Sequence, residues 1–415
     1  MRIQQITTWQ DAKANNQYPQ LKENINVDVA IVGGGITGIT SAYMLAKAGK
    51  KVALVESKKY LASDTTLFTT AFITKVIDTG LSDLIKMFGE KNTKLIWESG
   101  QQAIDQIEQI VKAEKIDCDF KRVSYFTYAN EDSQFQSLEE EQAAAKKVDQ
   151  EVTLKKKNSF KFKNAGYLEV KNQAKFNPIK YVETLAEKAV ANGVQIFTST
   201  EVTAISGHKS VRIKTKNYEI KANQVIIATY KPIKVLKTFA KKGMYQSYVF
   251  EVKLPQNLIL EGLYVDLENP YHYFRIDKEK GFDRMIIGGE DHREEAKMSA
   301  TKNFKALEAY LKNLIAVDYQ ITRKWTGPIL EPSDGIALIG ESKPNQFVAT
   351  AFSGNGMTYS TIAGMIFRDA ITGKKNPWSK LYDPTRKMKL KAFGRKALDY
   401  GEEFYQGYVK NNLKY

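Results

Sequence analysis

The stretch Asp28-Val-Ala-Ile-Val-Gly33-Gly-Gly35-Ile-Thr-Gly38 places a G-x-G-x-x-G pattern directly after an apolar run, Val27 to Val32. That run reads as a buried parallel strand, and Gly35 to Lys47 as a helix stopped by Gly49. In such a strand–turn–helix, Gly33 makes the tight turn. Gly35 lets the backbone approach a pyrophosphate, and Gly38 lets helix and strand pack closely. The N–H groups of Ile36 and Thr37 and the positive end of the helix dipole then face the phosphates. A second strand, Val52 to Val55, ends at Glu56 and Ser57. A carboxylate there suits ribose hydroxyls and disfavours a 2′-phosphate. The fingerprint alone leaves NAD and FAD open. Its place near the N-terminus, with more α/β pattern returning late in the chain, leans toward FAD.

With 415 residues, 43% of them hydrophobic, the chain can build a large core and more than one domain. Residues 85–150 read as mostly helical, including Phe135 to Val148. Asn177-Pro178 is a strong helix start, with Asn as cap and Pro in the first turn. Strand patterns recur at Val194–Phe197, around Val202, at Val211–Ile213 and at Val225–Ala228. Others fall at Tyr248–Val252, Tyr271–Ile276, Met285–Ile287 and Phe347–Ala351, the last leading to a helix from Thr358 onward. The expected fold is α/β: a Rossmann-like dinucleotide domain from residues 27–84, 172–232 and 327–375. A mixed-sheet substrate domain, 85–171 and 233–326, is inserted into it. Residues 1–26 read as a polar lead-in and 376–415 as a basic helical tail.

The net charge is +15, from 62 basic and 47 acidic residues. The lysines are scattered and no Arg-and-aromatic motif accompanies them, so nucleic acid is not an expected partner. A peripheral contact with an anionic membrane stays open. The single cysteine, Cys118, excludes intrachain disulfides and cysteine-based metal clusters. The three histidines are far apart in sequence, and no metal site is expected. The first twenty residues lack an apolar signal region, and a cytoplasmic location is the default expectation.

Later segments carry a more specific resemblance. They are Asn269-Pro-Tyr-His-Tyr-Phe-Arg275, Ile286-Ile-Gly-Gly-Glu-Asp-His292, Trp325-Thr-Gly-Pro, Glu331-Pro-Ser-Asp-Gly335 and Ala349-Thr-Ala-Phe-Ser-Gly354-Asn-Gly356-Met-Thr358. Over about Trp9 to Arg386 the chain resembles the FAD-dependent D-amino-acid oxidase superfamily, with its glycine, sarcosine and glutamylputrescine oxidoreductases. It is most similar to a bacterial subgroup that often carries a C-terminal Rieske domain. One cysteine, with no histidine after His292, cannot supply such a centre in this sequence.

The resemblance implies a glutathione-reductase-like FAD domain beneath a D-amino-acid-oxidase-like substrate domain. It assigns Thr65, Thr66, Thr69 and Thr70 to the stretch along the pyrophosphate, and Val202 to the adenine. Ala228 and Gly327 join the FAD contacts. Gly354, Asn355, Gly356, Met357 and Thr358 form the turn before the last helix, whose N-terminus can stabilise negative charge on reduced flavin. Phe68 stands where some relatives tether FAD through histidine, and the late region has no cysteine, so non-covalent FAD is expected.

The implied reaction is hydride transfer from a C–H next to an amine nitrogen. The alternatives are oxidation of a hydroxy acid or alcohol, and a non-catalytic flavin protein docked on an anionic partner. Arg275 is the expected carboxylate-binding residue, with Tyr271, Tyr273, Trp325 and Tyr359 as an aromatic wall; pairing of Arg275 with Asp277 or Glu279 is the competing reading. His272 and His292 read as structural hydrogen-bonders. Sarcosine-type oxidases place a lysine over the flavin where this chain has Ile286, with Lys253 on a neighbouring strand. That favours a dehydrogenase whose electron acceptor the sequence does not name.

Overall fold

The structure is a computed structural model, described over residues 5–12, 16–156, 160–230, 243–294 and 299–387. Its first sheet has eight strands. The order along its main path is Leu338–Lys343, Gln346–Thr350, Glu219–Ile227, Ile25–Val32, Val52–Val55 and Gln195–Phe197. The inner strands run parallel, with Ile31 opposite Ile226 on one side and Leu54 on the other. Strands buried on both faces are expected where helices cover a parallel sheet, but here only one face is helical. Val29 and Ile31 pack toward Ile36–Lys47, Pro178–Ala191 and Gly356–Ile371. Ala30 and Val32 pack beneath the antiparallel pair Val202–Ser206 and Val211–Thr215, which supplies Val211 and Ile213.

The second sheet has nine strands and is largely antiparallel. Its order is Gln320–Leu330, Met244–Leu254, Phe282–Arg293, His272–Glu279, Gly262–Asp266, Lys121–Ala129, Gly166–Lys175 and Phe72–Ile73, with Thr153–Lys156 paired to Gly166–Lys175. One face packs on the amphipathic helix Ala300–Leu314 through Phe304, Leu307 and Leu311. The opposite face looks across a cavity toward the first sheet.

Most expected elements are present, and several strands are longer than read, such as Glu219–Ile227, Met244–Leu254 and Phe282–Arg293. The glycine fingerprint opens Ile36–Lys47, and the side chain of Asn177 accepts the N–H groups of Ile179 and Lys180 at 3.1 and 3.2 Å. Lys121–Ala129 is a strand inside the segment read as helical. Its alternation of apolar and polar residues, KRVSYFTYA, is short and sits between two real helices.

The chain also interleaves the two sheets more finely than the expected boundaries. Phe72–Ile73 joins the second sheet. Gly166–Lys175 and Gln320–Leu330 each run through an expected boundary as single strands. Leu81–Glu114, a helix broken at Gly89 (φ 77°), packs against Gly356–Ile371 and Pro178–Ala191 rather than with the inserted region alone. The polar lead-in is anchored: Trp9, 1% exposed, lies in the main core, and Leu21 is buried against the first sheet. At the other end Tyr382 is buried, and Arg386 is paired with Asp334 at 2.7 Å. The rest of the expected tail, from residue 388, lies outside the described residues.

Candidate active site

Between the sheets lies a cavity of about 430 Å³. Two helix N-termini open on it. Gly35, Ile36 and Thr37 begin one helix, and Gly354, Asn355, Gly356 and Met357 lead into the other; all seven line the cavity. Neither helix is capped by the side chain of its N-cap residue, Gly35 or Asn355. The first-turn N–H groups and the positive ends of both dipoles therefore bear on one volume. Thr37 Oγ1 and Ser360 Oγ are 2.7 Å apart and tie the two helices together.

The glycines are held by contact geometry. A Cβ on Gly38 would lie 1.9 Å from the carbonyl oxygen of Gly33. Gly38 therefore works by packing and does not line the cavity. Gly33 has φ +113°, and a Cβ there would lie 2.5 Å from the Ala228 carbonyl oxygen. A Cβ on Gly356, by contrast, meets nothing within 4 Å. There the glycine leaves room in front of a helix N-terminus, as an anionic or dipolar group requires.

Glu56, Ser57 and Val202 line the end of the cavity under the first sheet. The Glu56 carboxylate accepts the N–H of Gly34 at 2.7 Å and of Lys58 at 2.8 Å. These bonds fix its direction and leave lone pairs for ribose hydroxyls. Paired helix N-termini, an open glycine cradle and an oriented carboxylate together fit a dinucleotide with a diphosphate at its middle.

One long wall is the loop through Thr65, Thr66, Phe68, Thr69 and Thr70, all of which line the cavity. Thr66 Oγ1 accepts the N–H of Ile36 at 3.2 Å, joining this loop to the fingerprint helix. Three buried side chains hold the loop from behind. Trp325 Nε1 donates to the Phe68 carbonyl at 3.0 Å, and Trp9 Nε1 to the Thr69 carbonyl at 2.7 Å. Arg275 donates to the carbonyls of Thr70 and Ala71 at 3.1 and 3.2 Å, and to that of Phe176 at 3.1 Å.

Arg275 is thus not the substrate contact that the sequence suggested. It is 2% exposed, lies over the Trp9 ring and is paired with Asp277 at 2.8 Å. Asp277 also binds Lys175, and Arg284 at 3.0 Å. Burial by itself would raise the Asp277 pKa. The charges of Arg275, Lys175 and Arg284 outweigh that and hold it well below the usual carboxylate range.

Trp325 and Tyr359 are likewise buried away from the cavity wall, Tyr359 against Phe352 and Tyr382. Thr358 also stays behind the wall: its hydroxyl accepts the N–H of Thr74 at 3.1 Å and donates to the Thr74 carbonyl at 2.9 Å. All four departures share a cause. Large or polar residues on a motif look like ligand contacts in sequence, yet Arg275, Trp325 and Thr358 satisfy neighbouring backbone groups and Tyr359 packs in the core.

Tyr271 and Tyr273 do line the cavity, with Ala228 and Gly327. The Tyr273 hydroxyl is 2.8 Å from Ser247 Oγ, and its ring stands edge-on to Phe72 at 6.0 Å. A Cβ on Gly288 would lie 2.4 Å from the Tyr273 hydroxyl, which explains the glycine in Ile286-Ile-Gly-Gly.

Asp78, Tyr125, Ser247 and Ser360 also line the wall. Only Ser360 carries a signal in the sequence, one helical turn after Gly356. His272 sits between Asp266 at 3.0 Å and Glu290 at 3.2 Å, stacked on Tyr310. Burial pulls its pKa down, and the two carboxylates more than reverse this. His292 stacks on Tyr248, and burial lowers its pKa. Ile286 is fully buried and Lys253 lies over Phe282; neither lines the cavity. Among the described residues no group of three or more His, Cys, Asp or Glu is placed to hold a metal, and no helix is long and apolar enough to cross a membrane.

The profile of the FAD dependent oxidoreductase family, DAO, matches residues 28–370. The chain belongs to this family. It is 30% identical over 414 residues to YhfW of Bacillus subtilis (strain 168), named as a Rieske 2Fe-2S iron-sulfur protein, covering 98% of this chain and 81% of that one. It is 23% identical to the gamma-glutamylputrescine oxidoreductase of Escherichia coli (strain K12), covering 87% and 88% of the two chains. Glycine oxidase from Geobacillus kaustophilus superposes with a TM-score of 0.74 at 18% identity, over 88% of this chain and all (100%) of that one. At that identity the likeness speaks for the fold. The chain is accordingly an FAD-dependent oxidoreductase with the FAD-enzyme α/β fold.

Two changes test the site. Gly38→Ala forces a methyl group against the Gly33 carbonyl; overpacking of this kind costs about 1–3 kcal/mol. The variant is expected to melt at lower temperature and to purify with substoichiometric flavin. A fully loaded, equally stable G38A protein would contradict the packing role. Asp277→Asn leaves the buried Arg275 guanidinium without a carboxylate and Lys175 with Glu261 alone, a loss of about 3–5 kcal/mol. Because the folded pKa of Asp277 is depressed, its stabilisation is present above the unfolded carboxylate pKa and lost as pH falls through the folded value. The stability gap between wild type and D277N, from urea melts, should therefore be wide at pH 7 and narrow toward acid. A gap independent of pH would rule this out.

Proposed function

We propose that this oxidoreductase acts on an amine or amino acid, removing hydride from the carbon next to the nitrogen. The observation that carries the reading is a single cavity joining the paired helix N-termini to a chamber walled by Tyr125, Tyr271 and Tyr273. The names of its relatives point the same way, among them a gamma-glutamylputrescine oxidoreductase and, by fold, an L-proline dehydrogenase from P. horikoshii.

When bound, FAD supplies the hydride acceptor. The chain's own residues do the rest. The N-terminus at Gly35 would hold the diphosphate, and that at Gly356 would favour negative charge near the acceptor ring. The Thr65–Thr70 loop, clamped from behind by Trp9, Trp325 and Arg275, fixes the cofactor's long side. Phe72, Tyr271 and Tyr273 exclude water from the face where a neutral amine approaches. The substrate C–H loses two electrons with its hydrogen, the nitrogen loses a proton, and the resulting imine is hydrolysed by water to a carbonyl compound and an amine.

The site is expected to take FAD without a covalent tether. Phe68 offers no nucleophile to the cavity, and Cys118 is buried outside it, its thiol pushed up to about 12 by burial. Acid precipitation should release all the flavin into the supernatant; flavin retained on the protein pellet would refute this. The reaction itself is tested by anaerobic absorption spectra with amines, amino acids and hydroxy acids. Bleaching of the oxidised-flavin bands by an amine or amino acid is expected, and admission of air then separates an oxidase from a dehydrogenase. Bleaching by hydroxy acids alone would replace this reading with alcohol oxidation.

A further inference from the structure

Two adjacent residues of the strand His272–Glu279 face opposite sides of the second sheet. Tyr273 lines the cavity, while His272 stacks on Tyr310 of the helix Ala300–Leu314, with ring centroids 3.5 Å apart. The paired strand Phe282–Arg293 seats both with glycine: Tyr273 lies opposite Gly288 and His272 opposite Gly289. A Cβ on Gly288 would lie 2.4 Å from the Tyr273 hydroxyl, and one on Gly289 2.7 Å from Cδ2 of His272. The two side chains share one stretch of backbone, so a shift of His272 is passed directly to Tyr273.

The His272 imidazole is gripped at both nitrogens. Nδ1 is 3.0 Å from the Asp266 carboxylate, and Nε2 is 3.2 Å from that of Glu290. The backbone N–H of His272 donates to the same Asp266 carboxylate at 2.8 Å. Asp266 ends one neighbouring strand and Glu290 lies on the other, so the ring ties three strands together. Behind these groups, the Tyr310 hydroxyl is 2.7 Å from that of Tyr128, and Glu268 accepts from Asn130 at 2.8 Å. Asn303 donates to the Glu290 carbonyl at 2.9 Å and meets His292 Nδ1 at 3.3 Å.

A neutral imidazole carries a single N–H. Its other nitrogen would aim a lone pair at a carboxylate, in a site where His272 is 5% exposed. Only the imidazolium donates to both partners. Burial pulls the His272 pKa down, and Asp266 and Glu290 more than reverse this. With the folded pKa raised, the grip is complete below the ordinary imidazole pKa and is lost as pH rises through the raised one.

We propose that His272 is a positioning residue for the substrate chamber: held as an imidazolium between Asp266 and Glu290, it fixes the place of Tyr273 at the cavity, and loss of its second proton relaxes that wall. The inference rests on Tyr273 walling the chamber beside the flavin. The imidazole itself lies on the far face of the sheet and does not line the cavity.

The full FAD-loaded chain has three histidines, so nitrogen NMR can follow each imidazole, with His208→Gln and His292→Gln for assignment. His272 is expected to keep both nitrogens protonated to higher pH than it does in urea-unfolded protein. Visible circular dichroism of the bound flavin should change over the same pH range. Glu290→Gln, which removes one carboxylate and keeps the ring, should move both titrations to lower pH together. His272→Gln should show the high-pH flavin signal at every pH. Its peptides spanning residues 262–276 should exchange hydrogen about ten-fold faster or more, as expected for loss of one charge-assisted contact. A His272 with one protonated nitrogen at pH 6, a flavin signal that stays flat or fails to follow the shift in E290Q, or unchanged exchange in H272Q would overturn the proposal. None of these readouts requires a substrate to be turned over, so they are separate from the test of amine oxidation.

Discussion

The first turns of Ile36–Lys47 and Gly356–Ile371 face one volume with their N–H groups uncapped by their own N-cap side chains. Such ends are costly to leave bare inside a protein, because each carries several unsatisfied donors. A diphosphate and a ring that gains negative charge on reduction answer that demand. Much of the surrounding structure keeps the ends open and in register. Gly38 sits on the Gly33 carbonyl, Thr37 meets Ser360, and Thr358 ties the second helix to Thr74. Each contact is small, but together they fix the distance between two dipoles that come from chain segments more than 300 residues apart.

The Thr-rich loop is the other fixed element, and it is set by donors on its far side. Trp9, Trp325 and Arg275 come from the N-terminal turn and two strands of the second sheet, and they hold the carbonyls of four consecutive residues, Phe68 to Ala71. With the carbonyls turned outward, Thr65, Phe68 and Thr70 line the cavity, while Thr66 and Thr69 also accept the N–H groups of Ile36 and Ala71. This arrangement couples substrate sheet to cofactor loop. The buried Asp277 cluster then gains a purpose: it keeps Arg275 charged and aimed at the loop.

The fingerprint was legible because glycine is chosen there for contact geometry, which local sequence records directly. The parallel strands around it were legible from apolar runs, and Asn177-Pro178 from cap chemistry. What stayed hidden depends on contacts between distant segments. Nothing local in a polar N-terminal stretch tells that Trp9 donates to Thr69. Arg275 shares its strand face with Tyr273, and only the fold shows that the backbone of the Thr65–Thr70 loop and Asp277 cover it there. Asp78 lies in a loop with no periodic pattern, so its place at the cavity rim follows from packing alone. The domain boundaries blurred for a similar reason, since strands such as Gly166–Lys175 run unbroken through the places where composition changes.

The central claim is that the cavity is built for a dinucleotide anchored at both ends, with its diphosphate on the fingerprint helix. Titration of flavin-stripped protein with FAD and with FMN, followed by quenching of flavin fluorescence, tests it most directly. FMN carries the ring and one phosphate but reaches neither Glu56 nor Val202. One FAD per chain is expected, with FMN bound at least about a hundred-fold more weakly, a difference of about 2.7 kcal/mol. Equal affinity for FMN, or failure of FAD to bind at all, would contradict it.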